Sequence, residues 1–85
     1  MRSFEFTVRD ALGIHARPAG LLVKLAKTLD SEITITKGNQ SASAVRLMAL
    51  MNLGVRQGDV IKITLCGADE ELAEEKMRAF LDAHL

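Results

Sequence analysis

Residues 32–43 read Glu32-Ile-Thr-Ile-Thr-Lys-Gly-Asn-Gln-Ser-Ala-Ser43, and this stretch decides the fold class. Ile33 and Ile35 alternate with polar residues, which is the period of a strand that buries one face. Lys37-Gly38-Asn39 is a turn signal, and Gln40–Ser43 then continues as a short, weakly apolar strand. The stretch therefore predicts two strands of a sheet that has one packed side and one polar side.

The same kinds of pattern predict strands and helices along the rest of the chain. The predicted strands are Phe4–Val8, Glu32–Thr36, Gln40–Ser43 and Val60–Leu65. The predicted helices run from Ala16 to Leu29, from Leu47 to Leu53, and from Asp69 to His84. Four short strands with polar alternate faces suit an antiparallel sheet, and three one-faced helices suit a single covering layer. We expect an α+β open-faced β-sandwich of order βαββαβα, in one domain over residues 1–85.

Composition excludes several classes of protein. Eleven Lys and Arg balance eleven Asp and Glu, and the chain has three Phe but no Trp or Tyr. Nucleic-acid binders usually carry excess positive charge and aromatic stacking residues, so we expect no nucleic-acid partner. No apolar run approaches the ~20 residues of a membrane span, so we expect no membrane insertion. Cys66 is the only cysteine, which excludes an intrachain disulfide and a cysteine zinc site, and we expect its thiol to be buried and inert.

His15 lies where a loop meets the start of the first predicted helix. The first amides of that helix, at Ala16 and Arg17, have no carbonyl partners within it and form an anion site with the helix dipole. The Arg17 guanidinium can clamp phosphate oxygens, and Pro18 fixes the backbone. An imidazole is a competent nucleophile near neutral pH. A histidine at a helix start is more often a cap or a solvated residue, but these neighbours favour a phosphoryl acceptor.

Two surface features accompany this site. Arg17, Gly20, Lys24 and Lys27 share one side of the first helix, away from its apolar side, and we call them the basic strip. The basic strip is either an ordinary solvated face or, as its origin at His15 favours, a docking surface for an acidic partner. The second predicted helix, Leu47–Leu53, is apolar nearly all round, and its Met48 and Met51 are either exposed for contact or deeply packed. Together with Leu47 at the start of that helix, we call them the apolar patch.

No other centre is predicted. His84 lies at the end of the chain, where we expect fraying and no role. The two histidines lack the spacing of a metal site, and we expect neither metal nor cofactor.

The stretch Gly13-Ile-His-Ala-Arg-Pro-Ala19 resembles the phosphocarrier HPr family of the bacterial phosphoenolpyruvate:sugar phosphotransferase system. The likeness continues at Leu22-Val23, Ile33-Thr34, Leu53-Gly54 and Gly67–Glu70, with further matches at Gly38 and Gly58. The family is a βαββαβα open-faced sandwich, in agreement with the predicted elements. The resemblance implies a cytoplasmic carrier without independent catalytic activity, which we expect to be a monomer.

The resemblance also assigns roles to residues. His15 would take a phosphoryl group on Nδ1 from phosphorylated enzyme I and pass it to sugar-specific A domains, in sugar uptake or in a nitrogen-related branch. Arg17 would stabilise the phosphohistidine, and Ala16 would offer its backbone amide. Members of the basic strip and the apolar patch match the family's partner surface: Lys24, Lys27, Leu47, Met48 and Met51.

One position departs from the family. In its Firmicute branch a serine just before the second helix is phosphorylated by a dedicated kinase, and here that position is Arg46. Ser41 and Ser43 lie nearby but out of register, so we expect the serine switch to be absent. The alternative function is a regulatory relative that binds a transcription factor or a metabolic enzyme. Because such relatives can lack the active histidine, the presence of His15 favours the carrier.

Overall fold

The computed structural model describes residues 1–85 and contains seven elements in the predicted order. They are β1 (Arg2–Thr7), α1 (Ala16–Ala26), β2 (Glu32–Lys37), β3 (Gln40–Ser43), α2 (Leu47–Asn52), β4 (Val60–Cys66) and α3 (Glu70–His84). None of the three helices combines the length and the apolar content that a membrane crossing requires.

The four strands form one antiparallel sheet in the order β1-β4-β2-β3. β4 lies inside the sheet, where Ile63 is opposite Phe4 of β1 on one side and Ile35 of β2 on the other. Because residues directly opposite in an antiparallel pair point to the same face, these three side chains form a row on the packed side of the sheet. β4 and β2 are the two interior strands, and both bury alternate isoleucines on this face.

One hydrophobic core lies between that face and the helices. The sheet contributes Ile33, Ile35, Ile61, Ile63 and Leu65, and the helices contribute Leu22, Leu50, Met77 and Leu81. All of these side chains are buried, whereas Glu5 and Lys62 on the alternate positions of β1 and β4 are exposed. The predicted α+β open-faced sandwich, covered on one face only, is confirmed.

Helix ends differ from the prediction by a few residues. α1 ends at Ala26 instead of Leu29, because the chain tightens there and the N–H of Leu29 bonds to the Ala26 carbonyl at 3.2 Å. Leu29 still packs against the core from the loop, which explains why it fitted the apolar pattern. α2 ends at Asn52, and Gly54 follows with the left-handed backbone (φ 66°) that favours glycine.

Two expectations about side chains were wrong. Cys66 is exposed, because the alternation along β4 turns Leu65 into the core and its neighbour onto the open face of the sheet. His84 does not fray: it remains in α3, and its ring lies 4.6 Å from the Phe80 ring. The carbonyl oxygen of the following residue, Leu85, accepts the N–H groups of Arg9 and Asp10, which holds this end of the chain against the loop after β1.

Gly13 is placed where no side chain fits. Its φ is 65°, and a Cβ there would lie 2.1 Å from the Val55 carbonyl oxygen. Both the backbone conformation and the contact require glycine. Gly20 of α1 is the opposite case, because a Cβ there meets nothing within 4 Å.

The two glycines therefore give a matched prediction. Gly13→Ala should lower the free energy of unfolding by about 2 kcal/mol or more, because a left-handed backbone and a backbone clash combine. Gly20→Ala should raise it by about 0.5–1 kcal/mol, because alanine favours a helix interior. Urea unfolding of both variants measures the difference. Equal stability of the two variants would show that the close approach at Gly13 is unimportant.

Asp69, just before α3, connects that helix to the start of β2. Its carboxylate accepts the Ser31 hydroxyl, the Ser31 N–H at 2.7 Å and the Asp30 N–H at 2.9 Å. The Ser31 hydroxyl, followed by these backbone donors, lowers the pKa of Asp69 below its ordinary value of 3.8.

The lowered pKa of Asp69 predicts a pH-dependent stability. The stabilisation is complete above the unfolded pKa of 3.8 and is lost as the pH falls through the lower folded pKa. Asp69→Asn should therefore lower Tm at pH 7. The difference in Tm between this variant and the unchanged protein should become smaller below about pH 4. Asp82→Asn is the control, because its carboxylate is exposed and only pairs with Arg9. A difference in Tm that stays constant from pH 7 to about pH 3 would contradict this assignment.

Candidate functional site

A short turn after β1 brings the chain to His15. The Asp10 carboxylate accepts the Leu12 N–H at 2.9 Å, and the Asp10 carbonyl accepts the Gly13 N–H at 3.0 Å. The Ile14 N–H then bonds to the Val55 carbonyl at 3.2 Å. This pattern is an Asx turn closed onto the neighbouring loop, and it fixes the residue at which α1 begins.

His15 is the residue that precedes α1. Its backbone is extended (φ −118°, ψ −177°), and its side chain makes no capping hydrogen bond to the helix. The imidazole is about one-third exposed (37%), and its Nε2 lies 3.6 Å from Oδ2 of Asp10. One edge of the ring therefore faces a carboxylate, and the ring stays accessible from solvent.

The start of α1 offers two backbone donors beside the imidazole. The first hydrogen bond into the helix runs from the Ala19 N–H to the His15 carbonyl at 3.0 Å. The N–H groups of Ala16 and Arg17 therefore have no backbone acceptor, and Pro18 has no N–H at all. With no acidic residue in the first turn, these amides and the helix dipole favour an anion at this point.

The basic strip is exposed and carries unpaired charges. Arg17, Gly20 and Lys24 on α1, and Lys27 directly after its last residue, are all exposed. The Lys and Arg side chains in ion pairs are Arg2, Arg9, Lys37 and Arg78. The three cations of the strip are therefore available to a partner, and Arg46 at the start of α2 is exposed in the same way.

The apolar patch is divided between surface and core. Met48 is 65% exposed and Leu47 is 41% exposed, whereas Met51 is half-buried against the core. Leu50, between them in sequence, is fully buried and holds α2 in place. Because α1 and α2 pack against each other, the patch and the strip lie on adjacent helices.

Sequence reasoning missed two residues near His15. Leu12, in the turn before His15, is 70% exposed. The Asp10 carboxylate lies 3.6 Å from Nε2 of the His15 ring. Asp10 follows the first predicted strand, and the sequence patterns assign no role to it. The available signal was its spacing: an Asp two residues before Leu12 favours an Asx turn, which brings its carboxylate near the residues that follow.

The site is open, and neither a metal centre nor the surface depression of the structure coincides with it. No group of three or more His, Cys, Asp and Glu side chains could hold a metal ion. The depression, about 450 Å³, lies between β3 and α2 and is lined by Gln40, Ser41, Ala49, Asn52 and Leu53. The exposed imidazole can therefore be reached by another macromolecule, and no enclosed cavity for a small substrate adjoins it.

Similarity to known proteins identifies the family to which this chain belongs. A family model described as the PTS HPr component phosphorylation site matches residues 2–83. Phosphocarrier protein HPr of Haemophilus influenzae is 45% identical over 81 residues, which cover 95% of each chain.

Solved structures agree. The crystal structure of HPr-C-His from Thermoanaerobacter tengcongensis has a TM-score of 0.92 at 35% identity and covers 98% of this chain and 93% of that one. A crystal structure of an HPr dimer from the same organism has a TM-score of 0.76 at 35% identity, with 98% and 95% covered. The chain belongs to the HPr family, the phosphohistidine carriers of the phosphotransferase system, which are carrier components rather than catalysts.

Proposed function

We propose that His15 is the residue that carries the phosphoryl group, on Nδ1. It receives the group from phosphorylated enzyme I and passes it to sugar-specific A domains, in support of sugar uptake. The observation that carries this proposal is the imidazole at the start of α1, about one-third exposed, beside the unbonded amides of Ala16 and Arg17. The family description as a phosphorylation site supports it, because no other histidine has such surroundings.

Each transfer exchanges one nitrogen–phosphorus bond for another. The lone pair of His15 Nδ1 attacks phosphorus, and the bond to the donor imidazole breaks with its electron pair left on that nitrogen. The phosphoryl oxygens then lie near the amides of Ala16 and Arg17 and within reach of the Arg17 guanidinium. Donation to the A domain is the reverse of this step, so the same groups serve both transfers.

The docking surface combines the basic strip with the apolar patch. Unpaired Arg17, Lys24 and Lys27 attract an acidic partner, and exposed Leu47 and Met48 provide apolar contact area. One surface of this kind can serve enzyme I and the A domains in turn, because flexible methionine side chains adapt to different partners. The presence of His15 within this surface favours transfer over a purely regulatory role.

Residues 1–85 act in this proposal as one cytoplasmic domain and as a monomer. All twenty core residues are buried within the single chain, so no second copy is needed to complete the core, which supports the monomer. A second copy over α1 and α2 would also compete with the partners for the same surface.

The position of the phosphate tests the proposal directly. Incubation with phosphoenolpyruvate, magnesium and enzyme I should add one phosphate, lost in acid and stable in base, as measured by intact mass. His15→Ala should add none, because the nucleophile is gone. His84→Ala is the matched control and should be phosphorylated normally. Phosphate on His15→Ala, or none on the unchanged protein with a competent enzyme I, would refute the proposal.

The time course of the same assay tests Arg17. Arg17→Ala should keep its Tm but accept phosphate roughly 10- to 100-fold more slowly, because one charged donor to the phosphoryl oxygens is lost. Lys76→Ala removes an exposed cation from α3 and should leave the rate unchanged. Equal rates for the two variants would remove Arg17 from the mechanism.

We also propose that the serine switch of the Firmicute branch is absent. Arg46 precedes α2 with an exposed side chain that makes no capping hydrogen bond. Of the nearby hydroxyls, Ser41 is paired with Thr36 at 2.8 Å and Ser43 lies 3.4 Å from the Val45 N–H.

A Firmicute serine kinase with ATP provides the test. The unchanged protein should gain no phosphate by intact mass, whereas Arg46→Ser should gain one, because the hydroxyl then stands in the family's position. Val45→Ser is the control, since it places a hydroxyl one residue out of register. Phosphorylation of the unchanged protein would show that Ser41 or Ser43 is recognised and that the switch persists.

A further inference from the structure

We propose that Asp10 is a positioning residue for phosphoryl transfer. Its carboxylate keeps the proton of the His15 imidazole on Nε2, leaves Nδ1 free as the nucleophile, and stabilises the positive charge that the ring gains. This inference rests on His15 as the phosphoryl acceptor and adds the residue that controls its protonation.

The Asp10 carboxylate is aimed at the ring by the turn that contains it. Oδ2 accepts the Leu12 N–H at 2.9 Å, and the same oxygen lies 3.6 Å from Nε2 of His15. A carboxylate at this edge of the ring interacts favourably with a protonated Nε2 and unfavourably with a lone pair there. The turn therefore favours the ring form whose Nδ1 carries the lone pair.

The backbone that carries Asp10 is held from two other elements. The N–H groups of Arg9 and Asp10 donate to the Leu85 carbonyl after α3, at 2.5 and 2.8 Å. The side-chain amide of Gln57 donates to the Arg9 carbonyl at 3.0 Å. The backbone at Asp10 is thus held by hydrogen bonds to the chain after α3 and to the loop before β4, and a positioning residue requires such support.

The contact between Asp10 and His15 affects both the gain and the loss of the phosphoryl group, because the ring proton stays on Nε2 in each step. When Nδ1 attacks phosphorus, the proton stays on Nε2 and the ring becomes a phosphorylated imidazolium beside the Asp10 carboxylate. When the phosphoryl group leaves, the bonding pair returns to Nδ1 and the ring departs as neutral imidazole, with its proton still on Nε2. Without that proton the leaving group would be an imidazolate anion, which is far less stable.

The distance between Asp10 Oδ2 and His15 Nε2 in the free protein fits a positioning role. At 3.6 Å the contact is longer than a hydrogen bond, so the neutral ring is oriented without being locked. Positive charge on the ring strengthens its attraction to the carboxylate and shortens the contact during transfer. Because both side chains are about one-third exposed, at 37% and 34%, water weakens the effect. We therefore expect a rate effect of about 3- to 10-fold, well below that of a buried pair.

Two substitutions distinguish the effect of the Asp10 charge from the effect of its hydrogen bond within the turn. Asp10→Asn removes the charge but keeps an oxygen for the Leu12 N–H, and Asp10→Ala removes both. Asp59→Asn is the matched control, because Asp59 also accepts a loop N–H, from Arg56 at 2.8 Å, and pairs with Lys37 at 3.1 Å.

The first measurement needs no partner protein. The ¹⁵N shifts of the His15 ring should report a proton almost entirely on Nε2 in the unchanged protein and in Asp59→Asn. In Asp10→Ala they should approach the mixture of the two ring forms found in a short histidine peptide, with Asp10→Asn between the two. A purely structural role for Asp10 would lower Tm without moving these shifts.

The second measurement is the rate of phosphate gain from phosphorylated enzyme I and of its loss to an A domain. Asp10→Asn should slow both steps about 3- to 10-fold, and Asp59→Asn should change neither. Ring shifts and rates that are unchanged in Asp10→Asn would overturn the inference while phosphorylation of His15 stands. If the unchanged protein gains no phosphate, the proposed function fails instead.

Discussion

The hydrogen bond from the Ile14 N–H to the Val55 carbonyl is the constraint on which the site depends. It forces Gly13 against the backbone of the neighbouring loop, closer than any side chain allows. The first residue of α1 is thereby fixed, and with it the two amides that have no acceptor. The geometry around His15 follows from this backbone contact, because the imidazole and the helix start hold their relative position without any side-chain cap.

Much of the fold could be predicted from local patterns. Alternation over Glu32–Thr36 and the turn at Gly38 gave the strand pair, and the apolar spacing after Pro18 gave α1. The two errors differ in kind. Cys66 directly follows Leu65, so the local alternation along β4 already places it on the open face, and the expectation of a buried thiol neglected that pattern. His84 is kept in α3 by stacking on Phe80 and by the contacts of the next residue, which no helix propensity reveals.

Part of the candidate site could also be predicted from local sequence. His15, Arg17 and Pro18 are adjacent in sequence, so their chemistry could be seen together, and the likeness to the HPr family rests on the same residues. Asp10 was missed because its relation to His15 arises from a turn and not from helical or strand spacing. The division of the apolar patch, with Met48 exposed and Met51 half-buried, required the packing of α2 to be known.

The separation of the site from the hydrophobic core has a consequence for how this chain can evolve. His15, Arg17, Lys24, Lys27, Leu47 and Met48 all lie outside the twenty-residue core. In many proteins a change of function costs stability, because the residues that act also hold the fold together. Here that trade-off is small for the residues around the site. Under the proposed function, new partners can be selected by surface substitution while the free energy of unfolding stays nearly constant.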